Sequence, residues 1–296
     1  MMTDRPAGTL YLVATPLGNL QDITPRALET LRQAQVIACE DTRRTRGLLT
    51  RFGIRPARLI SCHKFNEASR LSPILAALRE GASVALVSDG GTPGVSDPGA
   101  PLVNAALEAG IPVSPIPGPS AAAAAISVCG FEASSFHFAG FLPSRSGARR
   151  RAIEALRPLT VPIVLFEAPH RVAATVADLL DLLSERRLTL LREMTKLHEE
   201  VRRTTLGALA GKLREQPGRG EFTIVLEGRS EQDAAARAPV TDPSATTPEA
   251  LRARYRRLIE SGTDRREALK ILVRETGLPR ARLYAAIHAT GSGEPE

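Results

Sequence analysis

Short, continuous apolar runs alternate with helical segments through the first half of the chain. Leu10 to Ala14, Val36 to Cys39, Ser83 to Ser88 and Ile111 to Ile116 are short apolar runs that read as strands. Strands alternating with helices predict a parallel α/β sheet. After the first run, Thr24-Pro25 supplies a cap residue and a proline for the first helical position. The runs end in Thr15-Pro16-Leu17-Gly18-Asn19, Glu40-Asp41-Thr42-Arg43, Asp89-Gly90-Gly91-Thr92-Pro93-Gly94 and Pro117-Gly118-Pro119-Ser120. In an open parallel sheet ligands bind beyond the carboxyl ends of the strands, so these loops are expected to converge on one pocket.

A second α/β unit begins near residue 134. Phe136 to Phe141, Val161 to Phe166, Leu188 to Arg192 and Phe222 to Leu226 read as its strands, and Ser146 to Leu156, Ala168 to Leu183 and Leu206 to Arg214 as its helices. From about Ser230 to Thr247 the periodicity is lost in Ala, Pro, Ser, Thr and Asp, the composition of a linker. Beyond it, Pro248 to Ser261, Asp264 to Thr276 and Pro279 to Ala289 read as three short helices, the last two resembling a helix-turn-helix. The expected organisation is an N-terminal α/β domain over 8–120, a second α/β domain over 121–230, a linker over 231–247 and a helical domain over 248–290.

Composition narrows the function. The chain has 39 Lys and Arg against 32 Asp and Glu, and the excess is almost all arginine, whose planar fork suits phosphate. The excess is concentrated: eight basic residues (Arg43, Arg44, Arg46, Arg51, Arg55, Arg58, Lys64, Arg70) face one acid between residues 42 and 70, and Arg145, Arg149, Arg150, Arg151 and Arg157 face only Glu154. Both segments adjoin the expected pocket, as a phosphate-tracking surface would. Cys39, Cys62 and Cys129, odd in number and without a CxxC, make neither a disulfide framework nor a zinc ribbon, and a reducing cytoplasm fits them. No secretory signal or membrane span is expected, because the N-terminus lacks an apolar core and the longest uncharged stretch, 109–131, holds four prolines. With no Trp and three Tyr, an aromatic base-stacking platform is not expected either.

The glycine loops match neither G-x-G-x-x-G nor G-x-x-x-x-G-K-[ST], so a Rossmann or Walker phosphate site is not supported. Glu40-Asp41-Thr42-Arg43 combines acids and bases at a strand end, although Asp41 or Thr42 would equally serve as a helix cap. Glu167-Ala168-Pro169-His170-Arg171 and Glu193-Met194-Thr195-Lys196-Leu197-His198-Glu199-Glu200 form further polar clusters after strands. His63 and His198 have no partners at a metal-ligand spacing, and no metal is expected.

Taken in order, Leu10 to Leu20, Glu40 to Arg43, Val87-Ser88-Asp89-Gly90-Gly91-Thr92-Pro93-Gly94-Val95-Ser96-Asp97-Pro98-Gly99, Pro115 to Ala121, Glu167 to Arg171 and Arg192 to Glu200 resemble the 16S rRNA cytidine 2′-O-methyltransferases of the tetrapyrrole methylase superfamily. The resemblance runs over nearly all of residues 8–230, and the helical tail resembles that group's extra C-terminal domain. It implies a two-domain α/β fold, with an N-terminal parallel sheet, a second mixed sheet and a cleft between, plus a small helical domain. It implies a homodimer that binds S-adenosyl-L-methionine in the cleft and methylates the ribose 2′-oxygen of a decoding-centre cytidine (cytidine 1402) in 16S rRNA, with the assembled small subunit as substrate. Carried over by motif, the cofactor residues are Thr15, Pro16, Asp89, Gly91, Thr92, Pro93, Ser120, Ala121, Phe166, Glu167, Ala168, Phe222 and Thr223. Gly220-Glu221-Phe222 lacks a proline common in the superfamily, and Gly90 stands where many relatives have alanine.

Methyl transfer to a ribose hydroxyl needs alignment of three atoms and a group to remove the hydroxyl proton. Glu40, Asp41, Glu167, His170, Lys196 and Glu199 are the candidates, with Asp41 and Arg43 expected on the ribose-phosphate and Lys196 and Glu199 on the far side of the cleft. Arg43, Arg44, Arg46, Arg145, Arg149, Arg150, His170 and Arg171 are the expected RNA contacts. Two other functions are compatible with parts of the pattern. A methyltransferase acting on a tetrapyrrole shares the cofactor but has no use for the arginine segments, and a nonenzymatic nucleic-acid-binding protein leaves the intact cofactor loops without a purpose.

Overall fold

The computed structural model describes residues 7–216, 218–229, 246–276, 278 and 280–288. Five parallel strands form the first sheet: β1 (Leu10–Val13), β2 (Val36–Cys39), β3 (Arg58–Ser61), β4 (Val84–Val87) and β5 (Val113–Ile116), in the order β3-β2-β4-β1-β5. Four helices connect them: α1 (Pro25–Gln33), α2 (Thr42–Arg51), α3 (Glu67–Arg79) and α4 (Ala100–Glu108). The apolar runs are continuous because helices cover both faces. Val36, Ala38, Val84 and Leu86 pack against Ile74 and Leu78 of α3 and Leu102 of α4, while Ile37, Cys39, Ala85 and Val87 pack against Leu31 of α1 and Leu49 of α2. Thr24 caps α1 by accepting from Ala27 N–H, with Pro25 at its start.

β3 was not expected from the sequence. It is an edge strand whose Arg-Leu-Ile-Ser carries a single fully buried residue, so its hydrophobic signal is weak. β1 lies between the central strand β4 and the edge strand β5, and the crevice lies beyond their carboxyl ends.

The second sheet is mixed. β6 (His137–Phe141), β7 (Ile163–Glu167), β8 (Arg187–Arg192), β9 (Glu200–Thr205) and β10 (Phe222–Leu226) lie in the order β6-β7-β10-β8-β9, with β6 and β7 parallel and the other pairs antiparallel. One face packs on α6 (Ser146–Leu156), α7 (Val172–Leu183) and α8 (Leu206–Glu215) through Ile153, Leu165, Leu179, Leu209 and Ile224. The other packs on α5 (Ala121–Cys129) through Ala125, Val164, Leu191 and Val225. β9 too was missed by the sequence reading, because Glu-Val-Arg-Arg-Thr-Thr is an exposed edge strand with no apolar face to declare it.

Both sheets belong to one compact unit, Met1–Gly228. A second unit, Arg229–Glu296, contains α9 (Pro248–Glu260), α10 (Arg265–Thr276) and α11 (Arg280–His288) around Leu251, Leu258, Ala268, Leu272 and Leu283. The expected linker falls outside the described residues as far as 245, as do residues 289 and 290 at the end of the expected helical domain. Among the described residues no helix is long and apolar enough to cross a membrane.

Candidate active site

Three loops at the carboxyl edge of the first sheet are locked into one wall. Thr15 and Gly91 exchange backbone hydrogen bonds at 2.9 Å each, and Thr15 Oγ1 donates to Ser88 O at 3.1 Å. Thr92 Oγ1 donates to Pro119 O at 3.2 Å, tying the loop after β4 to the loop after β5. Gly91 has φ +92°, a conformation that side chains resist, and a Cβ there would lie 3.3 Å from Leu17 Cδ2. At Gly90 a Cβ would lie 3.3 Å from Pro16 O, so alanine fits only if that carbonyl gives by a few tenths of an ångström.

Beside this wall stands a group of acids. Asp89 Oδ1 accepts from Asp41 N–H at 3.1 Å, and Arg44 Nη1 lies 3.4 Å from Asp89 Oδ2. The Asp41 side chain is the N-cap of α2: its Oδ1 accepts from Arg43 N–H at 2.7 Å and Arg44 N–H at 3.4 Å. The Arg43 amide holds its pKa below the ordinary aspartate value, a poor setting for a base. Glu40 and Asp97 are shifted the other way. Burial, reinforced by the charges of Asp89 and Asp97, raises Glu40; burial, opposed by a hydrogen bond from Ser88 and reinforced by Asp89, raises Asp97. Glu67, itself buried, accepts from Gly99 N–H at 2.8 Å and so pins the loop that carries Asp97.

The second sheet supplies the opposite wall. Antiparallel register sets Thr223 of β10 beside Phe166 on one side and Leu191 on the other, and Phe222 beside Glu167 and Arg192. Phe166 meets Phe138 and Phe141 edge to face, with centroids 5.1 and 5.7 Å apart. Glu167, buried, accepts from Thr175 Oγ1 at 2.6 Å and Ala168 N–H at 2.9 Å and lies 3.1 Å from Arg171 Nε. The segment after β8 then returns to the first sheet. Asn19 N–H donates to Thr195 Oγ1 at 3.0 Å, and Glu193 and Thr195 adopt φ +52° and +65° in reaching it. Lys196 Nζ lies 3.0 Å from both Glu193 Oε1 and Glu221 Oε2. Burial opposes its charge, but Glu221 and Glu193 outweigh it, so the ammonium stays protonated and cannot accept a proton.

The walls enclose a cavity of about 680 Å³. Of the expected cofactor residues, Asp89, Gly91, Thr92, Ser120, Ala121, Phe166, Glu167, Ala168, Phe222 and Thr223 line it. Thr15 and Pro16 lie behind it and line a second, smaller cavity; Pro93 is buried and lines neither. Of the expected catalytic residues, Lys196 and Glu167 line it, His170 does so from an exposed position, and Glu40 and Asp41 adjoin it through Asp89. Glu199 is exposed and accepts from Thr195 N–H at 2.8 Å. Asp97 and Met194, to which the sequence reading gave no role, also line it. The signal for Asp97 was a carboxylate within the long Gly- and Pro-rich connection between β4 and α4.

The expected RNA contacts divide. Arg43, Arg46 and Arg145 are exposed, and Arg44 reaches Asp89 at the cavity wall. Arg149 is not a surface group: 7% exposed, it bonds Asp178 at 2.7 Å and Ser144 O at 3.2 Å. Arg150 is held by Asp178 and Asp181, and Arg171 by Glu167 and Leu142 O. Arg149 and Arg150 thus find their carboxylate partners on helix α7, 28 to 31 residues along the chain, whereas Arg171 finds its own four residues back, at the end of β7.

Residues 9–210 match the model of the tetrapyrrole (corrin/porphyrin) methylases. The chain belongs to that methylase family. It is 45% identical over 286 residues to a ribosomal RNA small subunit methyltransferase I from Micromonospora olivasterospora, a match spanning 95% of this chain and 87% of the relative. Among solved structures it resembles uroporphyrin-III-C-methyltransferase from Thermus thermophilus, at 25% identity and TM-score 0.53, over 74% of this chain and 94% of that one. Another structure of an enzyme of that name, complexed with S-adenyl homocysteine, has the same fold at 20% identity and TM-score 0.53, over 74% and 97% of the two chains. Within this family the cavity between the two sheets is the candidate active site.

Proposed function

We propose that the chain is an S-adenosyl-L-methionine-dependent methyltransferase of ribosomal RNA, and that it methylates the ribose 2′-oxygen of cytidine 1402 of 16S rRNA in the assembled small subunit, working as a cytoplasmic homodimer. The observation that carries the reading is the junction of donor-sized cavity and basic helix: Arg44 of α2 touches Asp89 on the cavity wall at 3.4 Å. The 45% identity to a ribosomal RNA methyltransferase over 95% of the chain supports the same substrate class.

The residues present fit the cofactor. About 680 Å³ falls within the usual range of small-molecule sites, roughly 300–1,000 Å³. Backbone at Gly90 and Gly91 can approach a ligand where side chains would intrude, and Leu17, Phe166, Leu191 and Met194 offer apolar surface for a purine. When bound, S-adenosyl-L-methionine supplies an electrophilic methyl group on a sulfonium that departs as a neutral thioether. The chain's task is then orientation and proton removal. The Thr15–Gly91 and Thr92–Pro119 bonds hold the donor wall rigid, and the segment carrying Lys196 closes it from the opposite sheet. Asp97, whose affinity for a proton is raised by burial and which lines the cavity, is the acceptor for the 2′-hydroxyl proton.

The test is to incubate the protein with unmethylated small subunits and labelled S-adenosyl-L-methionine, then map alkali-resistant ribose. Label at the decoding-centre cytidine is expected; label entering a tetrapyrrole but no ribosomal RNA overturns the reading.

A further inference from the structure

A second cavity of about 330 Å³ opens between the loop after β1 and one face of α2. Its α2 side is formed by Arg44, Thr45, Gly47, Leu48 and Arg51, of which Arg44, Gly47, Leu48 and Arg51 fall at i, i+3, i+4 and i+7 and therefore on a single helical stripe. Its other side is Pro16 to Gly18, and Thr15, Ser88 and Asp89 also line it. Leu17, Arg44 and Asp89 line both cavities, so the two spaces meet at the Arg44–Asp89 pair.

Three features make this groove basic and open. Asp89, its only acid, is already engaged by Arg44 and by Asp41 N–H. Arg51 is exposed, with no ion pair among the described residues to neutralise it. Gly47 lies between the two arginines, and a Cβ built on it meets nothing within 4 Å. Glycine costs helix stability, so its presence on this stripe leaves unfilled space that a larger residue would occupy.

We propose that this groove is an RNA-backbone subsite, taking the phosphodiester next to the target ribose. Arg51 and Arg44 grip its oxygens, and the gap at Gly47 accommodates the attached sugar. Entry through the groove delivers the ribose past the Arg44–Asp89 pair to the donor cavity. The inference rests on the RNA methyltransferase reading above and adds to it the path by which the substrate strand arrives.

The experiment uses the full chain, a fluorescent single-stranded RNA oligonucleotide containing the decoding-centre cytidine, and unmethylated small subunits. Arg51→Ala removes one grip, and Gly47→Met fills the gap while favouring the helix. Arg79→Ala removes an equal charge from the last turn of α3, where Leu78 O accepts from Gly8 N–H at the amino-terminal edge of the sheet. Arg51→Ala and Gly47→Met are expected to weaken binding of both probes on the order of tenfold, with Arg51→Ala lowering the salt slope by about one phosphate contact. Arg79→Ala should bind as wild type, and donor affinity by calorimetry should be unchanged in all three. Wild-type affinity and salt slope in both groove variants, or an equal loss in Arg79→Ala, overturns the subsite while leaving the methyltransferase reading intact. Failure of the wild-type protein to bind or label ribosomal RNA overturns both.

Discussion

The carboxylate of Asp89 accepts a hydrogen bond from the backbone N–H of Asp41 at 3.1 Å, so the acid that ends β4 holds the loop that ends β2. The same side chain meets Arg44, one turn into α2. A single aspartate thus joins the donor wall to the basic helix. Asp89→Ala leaves the Asp41 N–H without its acceptor and releases Arg44, at a cost of about 1–3 kcal/mol. A lower melting temperature together with at least a tenfold loss of methyl transfer is expected. Stability and single-turnover rate both at wild-type level would count against this coupling.

Asp97→Asn should separate stability from activity. Its folded pKa is raised by burial, so the carboxylate costs the folded state nothing below its ordinary value of about 4 and progressively more as pH rises towards the folded value. The asparagine variant should therefore match wild type in melting temperature near pH 4 and exceed it at pH 7. Transfer should fall about a hundredfold if Asp97 accepts the hydroxyl proton. Melting curves across this range and a single-turnover assay check both halves, and a normal rate removes Asp97 from the mechanism.

Gly91→Ala tests the rigidity of the donor wall. With φ at +92° and Leu17 Cδ2 only 3.3 Å from the new methyl, the substitution should cost about 1–3 kcal/mol. Donor binding by calorimetry should weaken as the Thr15–Gly91 pair shifts. Alanine with unaltered donor affinity would show that this backbone does not touch the ligand.

Arg149→Ala distinguishes packing from RNA contact. Removing it strands the largely buried carboxylate of Asp178, at about 3 kcal/mol or more, although Arg150 retains part of the pairing. The variant should melt early yet keep the salt dependence of RNA binding at low temperature. A reduced salt slope without loss of stability would return Arg149 to the RNA surface.

Much of the fold was legible because buried strands announce themselves. Val36–Cys39 and Phe222–Leu226 read correctly to the residue, since strands covered on both faces are uniformly apolar. β3 and β9 were illegible for the opposite reason: edge strands need only backbone partners, and Arg58 and Arg202 point to solvent. At the N-terminus of α7, the helix expected from Ala168 begins at Val172, because residues 168–171 turn to bring Arg171 back onto Glu167.

The sequence by itself determined the two α/β units, the glycine loops at strand ends and the family they resemble, because periodicity and motif are local properties of the chain. Only the tertiary structure decided which charged groups are free to act. Arg145 and Arg149 are alike in sequence, but Asp178, 29 residues from Arg149, removes one of them from the surface. Asp41 and Asp97 are both loop aspartates, yet backbone amides lower the pKa of one and burial raises that of the other. Charge, burial and pairing depend on atoms brought together across the fold, and those distances are not written in any window of the chain.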